Sequence, residues 1–259
     1  MDIDDLKGLL ERVASGETSP VNALEQLAAD TASAGIVNLG HTRLDIDRRR
    51  RRGVSEAIFC QGKTPPQICD IARRLDEQGQ NVICTRVTAE TARECLGQLP
   101  DFSYDPVARL LFKVNEEPNP GQGRIAVVTA GTTDIPVAEE AARCLEIWGD
   151  DVDRYYDVGV AGLHRILAVA GDLQRASVVV SIAGMEAALT SVVAGLVSAP
   201  VVAVPTSVGY GTHLKGVAAL LGMMNSCSGG IGTVNIDNGF GAALLAHMIN
   251  HVGMRKSIN

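Results

Sequence analysis

Ile125-Ala126-Val127-Val128-Thr129-Ala130-Gly131-Thr132-Thr133-Asp134-Ile135-Pro136 decides how this chain folds. A short apolar, β-branched run ends on a glycine turn. Two hydroxyls and a carboxylate then precede a proline, the residue types that open a helix and fill its first turn. A continuous apolar strand passing directly into a helix is the unit of a parallel sheet covered on both faces.

The same order of parts recurs downstream. Strands are expected over Ile125–Thr129, 152–157, 177–182, 201–204 and 233–236, each followed by a Gly, Ser, Thr or Pro turn and helix-forming sequence. With right-handed crossovers this gives a three-layer αβα, flavodoxin-like parallel sheet, whose loops gather at the carboxyl ends of the strands, where open sheets bind ligands. Upstream the character differs. Helices are expected over 2–13 and 20–30, strands over 54–60, 81–85 and 107–114, and helices over 65–78 and Ala89–Leu96. The segment 115–123, with two prolines and two glycines, reads as a linker, so the expected domains are a smaller α/β unit over 1–120 and the sheet domain over 121–259.

Composition narrows the function. The 259 residues are 46% hydrophobic with a formal charge of -7, which attracts neither nucleic acid nor an anionic membrane. Aromatic content of 3% removes the stacking platforms of single-strand binders. No charged-then-apolar leader follows Met1 and no apolar stretch is long enough to span a bilayer, so a soluble cytoplasmic protein is expected, its partners small molecules or other subunits. The six cysteines are scattered without metal-ligand spacing, which argues against disulfides and structural zinc. Gln61-Gly62-Lys63-Thr64 ends like a P-loop, but Ala57 stands where its first glycine belongs. Arg48 to Arg52 reads as a solvated helix face or an intersubunit salt-bridge patch.

Candidate chemistry gathers on the expected sheet edge. Gly131, Thr132, Thr133 and Asp134 either cap a helix or cradle a phosphate at its N-terminus. His164 and Arg165 offer a proton shuttle and an anion ligand, or simply start a surface helix. Gly184 precedes Glu186, a lone carboxylate in a very apolar stretch, which is either a solvent-facing helix start or an acid/base in a pocket. The loops at 205–212 and 235–241, the latter including Asn235 and Asp237, could line the same cleft. Cys227, flanked by Ser226, Ser228 and two glycines, is either a small buried hydrophobe or a reachable thiol, and is placed on the same edge as Asp134, His164 and Glu186.

Gly131-Thr132-Thr133-Asp134, Gly162-Leu163-His164-Arg165 and Ala183-Gly184-Met185-Glu186 resemble, in order, the motifs of the aminoimidazole ribonucleotide carboxylase/mutase (PurE) class. The whole chain, including residues 58–64, Asn225-Ser226-Cys227 and Asn235-Ile236-Asp237-Asn238-Gly239-Phe240-Gly241, resembles the LarB family of nickel-pincer cofactor biosynthesis. That resemblance implies a carboxylase/hydrolase converting nicotinic acid adenine dinucleotide and CO2 into pyridinium-3,5-biscarboxylic acid mononucleotide and AMP, with Cys227 as nucleophile. The resemblance to the purine enzymes also suggests a homo-octamer. Thr133 stands where the purine enzymes have serine, and the thiol and N-terminal region are additions to their pattern.

The residues suit that chemistry. A pyridinium ring does not attack CO2 until an electron donor such as a thiolate adds to it. Glu186 or His164 would take the ring proton, Asp134 is a further acid/base candidate, and Arg165 with the Gly131 loop and the serines around Cys227 would hold the substrate. No tightly bound cofactor is expected. Phosphoanhydride hydrolysis could call on Mg2+, with Asp134 and Glu186 as ligands. Two rival readings remain, a purine-type mutase that needs no thiol and a nucleotide-binding module that leaves its ligand unchanged.

Overall fold

The computed structural model describes residues 3–33 and 35–254, so the ends of the expected domain spans and the first residue of the expected helix over 2–13 lie outside the described residues. Contacts group the chain into two compact units, Met1–Glu56 and Ala57–Asn259. The first contains α1 (Ile3–Ala14), α2 (Pro20–Ser33), the antiparallel hairpin of β1 (Ile36–Asn38) and β2 (Arg43–Asp45), and the short helix α3 (Arg48–Arg52). The hairpin escapes the sequence reading because three-residue strands hold too few positions to show a period of two. In α3, Arg50 meets Asp47 at 2.8 Å and Arg51 pairs with Asp45 and Asp47, so part of the basic run answers the acidic residues just before it.

The second unit opens with β3 (Ala57–Phe59), α4 (Pro65–Asp76), β4 (Val82–Thr85), α5 (Ala89–Leu96), β5 (Ser103–Asp105) and β6 (Leu110–Lys113), whose strands form a sheet in the order β3-β4-β6-β5. Thr64 N-caps α4 with the reciprocal Thr64/Gln67 capping box, so the P-loop-like tetrapeptide serves to start a helix. The strand expected over 107–114 begins only at Leu110. Asp105 Oδ1 accepts from the N–H groups of Val107 and Ala108, closing an Asx-type turn before the left-handed Arg109.

Then follow β7 (Ile125–Thr129), α6 (Ile135–Trp148), β8 (Val152–Tyr155), α7 (Leu163–Leu173), β9 (Val178–Ala183), α8 (Ala188–Leu196), β10 (Val201–Pro205), α9 (Val217–Met224), β11 (Ile231–Thr233) and α10 (Gly239–Asn250). All five strands are parallel, in the order β11-β10-β9-β7-β8, the flavodoxin-like arrangement. Every residue of β7, β9 and β10 is buried, as continuous apolar runs in a doubly covered sheet require. Ile166 and Leu173 of α7, Leu189 and Val193 of α8, and Ala219 and Met223 of α9 cover one face. Helices α6 and α10, rich in buried alanine, pack together beside the sheet. The last strand lies two residues before its expected place, because Ile231 pairs with Val201 and Thr233 with Ala203. Asn81 joins the two sheets of this unit: its amide donates to Ile147 O at 2.9 Å and its carbonyl accepts from the N–H groups of Asn115 and Glu116. No described helix is long and apolar enough to cross a membrane.

Candidate active site

Strand order reverses between β7 and β9, and a cleft of about 530 Å³ opens there at the carboxyl ends of the strands. Four loops wall it: Ala130 to Asp134 after β7, Gly159 to Arg165 after β8, Ala183 to Leu189 after β9, and Val208 to Tyr210 after β10. Its size falls within the range of small-molecule sites. Gly131, Thr133, Asp134, Arg165, Gly184 and Glu186 all line it, so six of the residues singled out in the sequence share one cavity.

Asp134 lies on the cleft floor, buried. Its Oδ1 accepts from Thr206 Oγ1 at 2.7 Å and its Oδ2 from the Gly131 N–H at 3.0 Å. Burial raises its carboxyl above the ordinary value, the two hydrogen bonds oppose that rise, and the nearby Asp237 charge adds to it. Arg165 pairs through Nη1 with Asp157 Oδ2 at 2.7 Å, while its buried Nε has no hydrogen-bond partner among the described residues.

Glu186 stands exposed on the rim between Met185 (φ 53°) and Ala187 (φ 58°), both left-handed. Ala187 begins α8 without a side-chain cap, leaving the first turn of that helix open toward an anion. The buried Ser181 to Thr190 hydroxyl contact at 3.0 Å fixes α8 to β9. Gly184 cannot be larger: a Cβ there would lie 2.3 Å from Val208 O and 2.8 Å from Thr206 Oγ1.

Cys227 is exposed, the other five cysteines buried. Its position corrects the sequence reading, since the loop carrying it leads into the amino end of β11 and does not belong to the sheet edge where Asp134 and Glu186 lie. Side-chain anchors tie its loop to α8, the helix that starts at the cleft. Ser226 Oγ meets Ser191 Oγ at 2.8 Å, and Ser228 Oγ donates to Ser191 O at 2.9 Å. Ser191 is three residues, about 4.5 Å of helix rise, beyond the cleft-lining Ala188. Gly222 of α9 packs so closely on the backbone of Glu186 that a Cβ would come within 2.6 Å of its carbonyl oxygen. These contacts tie the Cys227 loop to α8, while Cys227 itself does not line the cleft.

His164 is exposed and Thr132 lies in the exposed turn before α6; neither lines the cavity. Asn235, also exposed, accepts from the Ile236 N–H through its own side chain and lies outside the cleft lining. Sequence reasoning passed over Asp157, the partner of Arg165, and Thr206 as the donor to Asp134. The position of Asp157 beside a strand end was the available signal for the first; nothing local singled out the hydroxyl of the second.

Asp134 is a poor ligand for Mg2+. Both its oxygens are engaged and its proton affinity is raised, whereas Mg2+ favours an ionised carboxylate that keeps its waters. Among the described residues the one compact group of three potential metal-ligating side chains is Asp150, His247 and His251, which contains neither Asp134 nor Glu186.

Comparison with known proteins agrees with this architecture. Residues 36–116 match the family model described as LarB/PurE-like N-terminal domain, and residues 124–257 match AIR carboxylase. An uncharacterized protein of Methanocaldococcus jannaschii is 38% identical over 215 residues, covering 80% of this chain and 83% of its own length. The N5-carboxyaminoimidazole ribonucleotide mutase of the same organism is 34% identical over 126 residues, 47% of this chain and 75% of that protein. The crystal structure of Treponema denticola PurE superposes with a TM-score of 0.44 at 20% identity, covering 52% of this chain and 82% of that one.

Proposed function

The chain belongs to the LarB family, an AIR carboxylase domain preceded by a LarB/PurE-like N-terminal domain, and from that membership we propose that it carboxylates and hydrolyses nicotinic acid adenine dinucleotide. The observation that carries this reading is the cleft itself. A buried carboxyl of raised proton affinity, the Arg165 side chain and an uncapped helix N-terminus converge there, and the exposed Cys227 sits in a loop tied to α8.

In this reading Arg165 and the first turn of α8 take the anionic groups of the dinucleotide, and the pyridinium ring extends past Glu186 toward Cys227. The thiolate forms an S–C bond to ring C4, and the ring electrons move onto the cationic nitrogen. C5 of the resulting dihydropyridine is an enamine carbon and bonds to CO2. A base takes the C5 proton, the thiolate leaves with its electron pair, and the aromatic cation returns. In this reading Glu186 is the base rather than His164, a choice supported by Glu186 lining the cleft where His164 does not. Water then cleaves the phosphoanhydride to release AMP.

A second reading, a mutase of purine biosynthesis, draws on the similarity to N5-carboxyaminoimidazole ribonucleotide mutases. The exposed side chains of Leu214, Leu221 and Met224 support a homo-oligomer, an octamer by resemblance, whose order light scattering measures. The deciding experiment supplies nicotinic acid adenine dinucleotide and 13C-bicarbonate. AMP together with a labelled pyridinium dicarboxylate is expected, and both are lost in Cys227→Ser. Turnover of aminoimidazole ribonucleotide substrates by Cys227→Ser, with no AMP from wild type, would establish the purine reading instead.

A further inference from the structure

The cleft is built on the AIR carboxylase domain, yet one side chain of the N-terminal domain reaches the segment behind its wall. Strand β4 ends at Thr85, and Arg86 turns into the left-handed region (φ 59°), a conformation unfavourable for a residue bearing a Cβ. From that turn its Nε lies 3.3 Å from Glu140 Oε1 of α6, and a terminal N–H donates to the backbone carbonyl of Asp237. Glu140 is buried and also accepts from the N–H groups of Gly239 and Phe240 at the start of α10. Arg86 therefore ties down both ends of the segment 237–240.

That segment backs the cleft. Asp237, itself left-handed at φ 55°, donates its N–H to Pro205 O at 2.8 Å and accepts the Ser207 N–H on Oδ1 at 2.7 Å. Ser207 lies between Thr206, which holds Asp134, and Val208 to Tyr210, which wall the cavity. The connection runs Arg86, Asp237, Ser207 and then the wall, through direct hydrogen bonds and chain neighbours. Arg86 does not itself line the cleft.

We propose that Arg86 is a positioning residue, by which the N-terminal domain holds the Asp237 carboxylate and the 205–210 wall in register around Asp134. This rests on the reading of the cleft as the carboxylating site. The Asp237 charge helps keep the Asp134 carboxyl above its ordinary range. Without Arg86 the Asp237 backbone is held on one side only, by Pro205, so its carboxylate shifts with Ser207 away from Asp134, and Asp134 then ionises at lower pH.

The test uses the full-length chain. Arg86→Gln alone leaves Glu140 buried without its cation, so the informative variant is Arg86→Gln/Glu140→Gln, compared with Asp237→Asn, the three substitutions combined, and Arg86→Lys. The expected result is a downward move, by about half a pH unit in the paired variant, of that limb of the kcat/KM profile which Asp134→Asn abolishes. Asp237→Asn should give the same move, the combined variant no more than either, and Arg86→Lys a partial return. An equal loss at every pH, with the limb unmoved, makes Arg86 a structural brace only and overturns the proposal. Titration of Asp134 in 13C-aspartate-labelled protein, assigned with Asp134→Asn, reads the same shift without turnover. A wild type that makes no product therefore sinks the carboxylase reading and leaves Arg86 still decidable.

Discussion

Replacing Thr206 by valine keeps the volume of a fully buried side chain and removes the hydroxyl that donates to Asp134 at 2.7 Å. A hydrogen bond to a charged acceptor contributes about 1.5–3 kcal/mol, and here the acceptor is buried, so water does not readily replace it. The pH dependence follows from the direction of the Asp134 shift. Its folded carboxyl is raised above the ordinary 3.8, chiefly by burial. A raised carboxyl binds its proton more tightly in the folded state, so its stabilising contribution is present below the unfolded value and lost as pH rises through the folded one. Thr206→Val removes a bond that lowers the folded value and so raises it further. The extra deficit is thus small near pH 4 and reaches about 1.5–3 kcal/mol at pH 7.5, a fall in Tm of about 3–12 °C. Thermal melts at pH 4, 5.5 and 7.5 on wild type, Thr206→Val, Asp134→Asn and the double variant read this directly. In the Asp134→Asn background the valine should cost less than about 1 kcal/mol, because the acceptor is then neutral. A deficit equal at all three pH values, or undiminished by Asp134→Asn, would show that Thr206 only fills space and would refute the reasoning.

Iodoacetamide on the native protein should label Cys227 and leave the five buried cysteines unmodified, with substrate slowing the reaction; peptide mass spectrometry identifies the site. The contrast is sharpest against Cys95, whose thiol burial pushes up to about 12. Gly184→Ala should cost about 1–3 kcal/mol in urea unfolding and most of the activity, because its Cβ would lie 2.3 Å from Val208 O, an atom of the cleft wall. Ser191→Ala removes the hydroxyl partner of Ser226; about 0.5–1.5 kcal/mol of stability and a fall in kcat with little change in KM are expected. An unchanged kcat would detach the Cys227 loop from catalysis.

What could be read from the residues follows from which interactions are local. Strand β7 coincides with its expected span, and β9 and β10 lie within a residue of theirs, because continuous apolar runs bounded by glycine or proline carry their own punctuation. The cleft residues Gly131, Asp134, Gly184 and Glu186 were legible for the same reason: in a parallel sheet every strand-to-helix loop falls on one edge, so order along the chain fixes proximity in space. That rule misplaces Cys227, which sits on a helix-to-strand loop held to α8 by serine contacts distant in sequence. Arg86 and Thr206 were invisible on similar grounds, because their partners lie 151 and 72 residues away.

The backbone around the cleft argues that its shape is imposed by the surroundings. Asp157, Met185, Ala187 and Asp237 are all left-handed without being glycine, and each such residue costs about 1–2 kcal/mol. Met185 and Ala187 flank Glu186, so about 2–4 kcal/mol is committed to the backbone on either side of one exposed carboxylate. Glycine at either position would relieve that cost, but a flexible glycine would also release the carboxylate. The structure resists release at both ends: the Ala187 N–H donates to Gly184 O at 2.9 Å, Ala187 and Leu189 are buried, and Gly222 presses on the Glu186 carbonyl. Strain held by tight packing on both sides of a solvent-facing charge has no stabilising return for the fold itself. It is intelligible if the carboxylate must stand at one fixed place, at the cleft beside the uncapped first turn of α8.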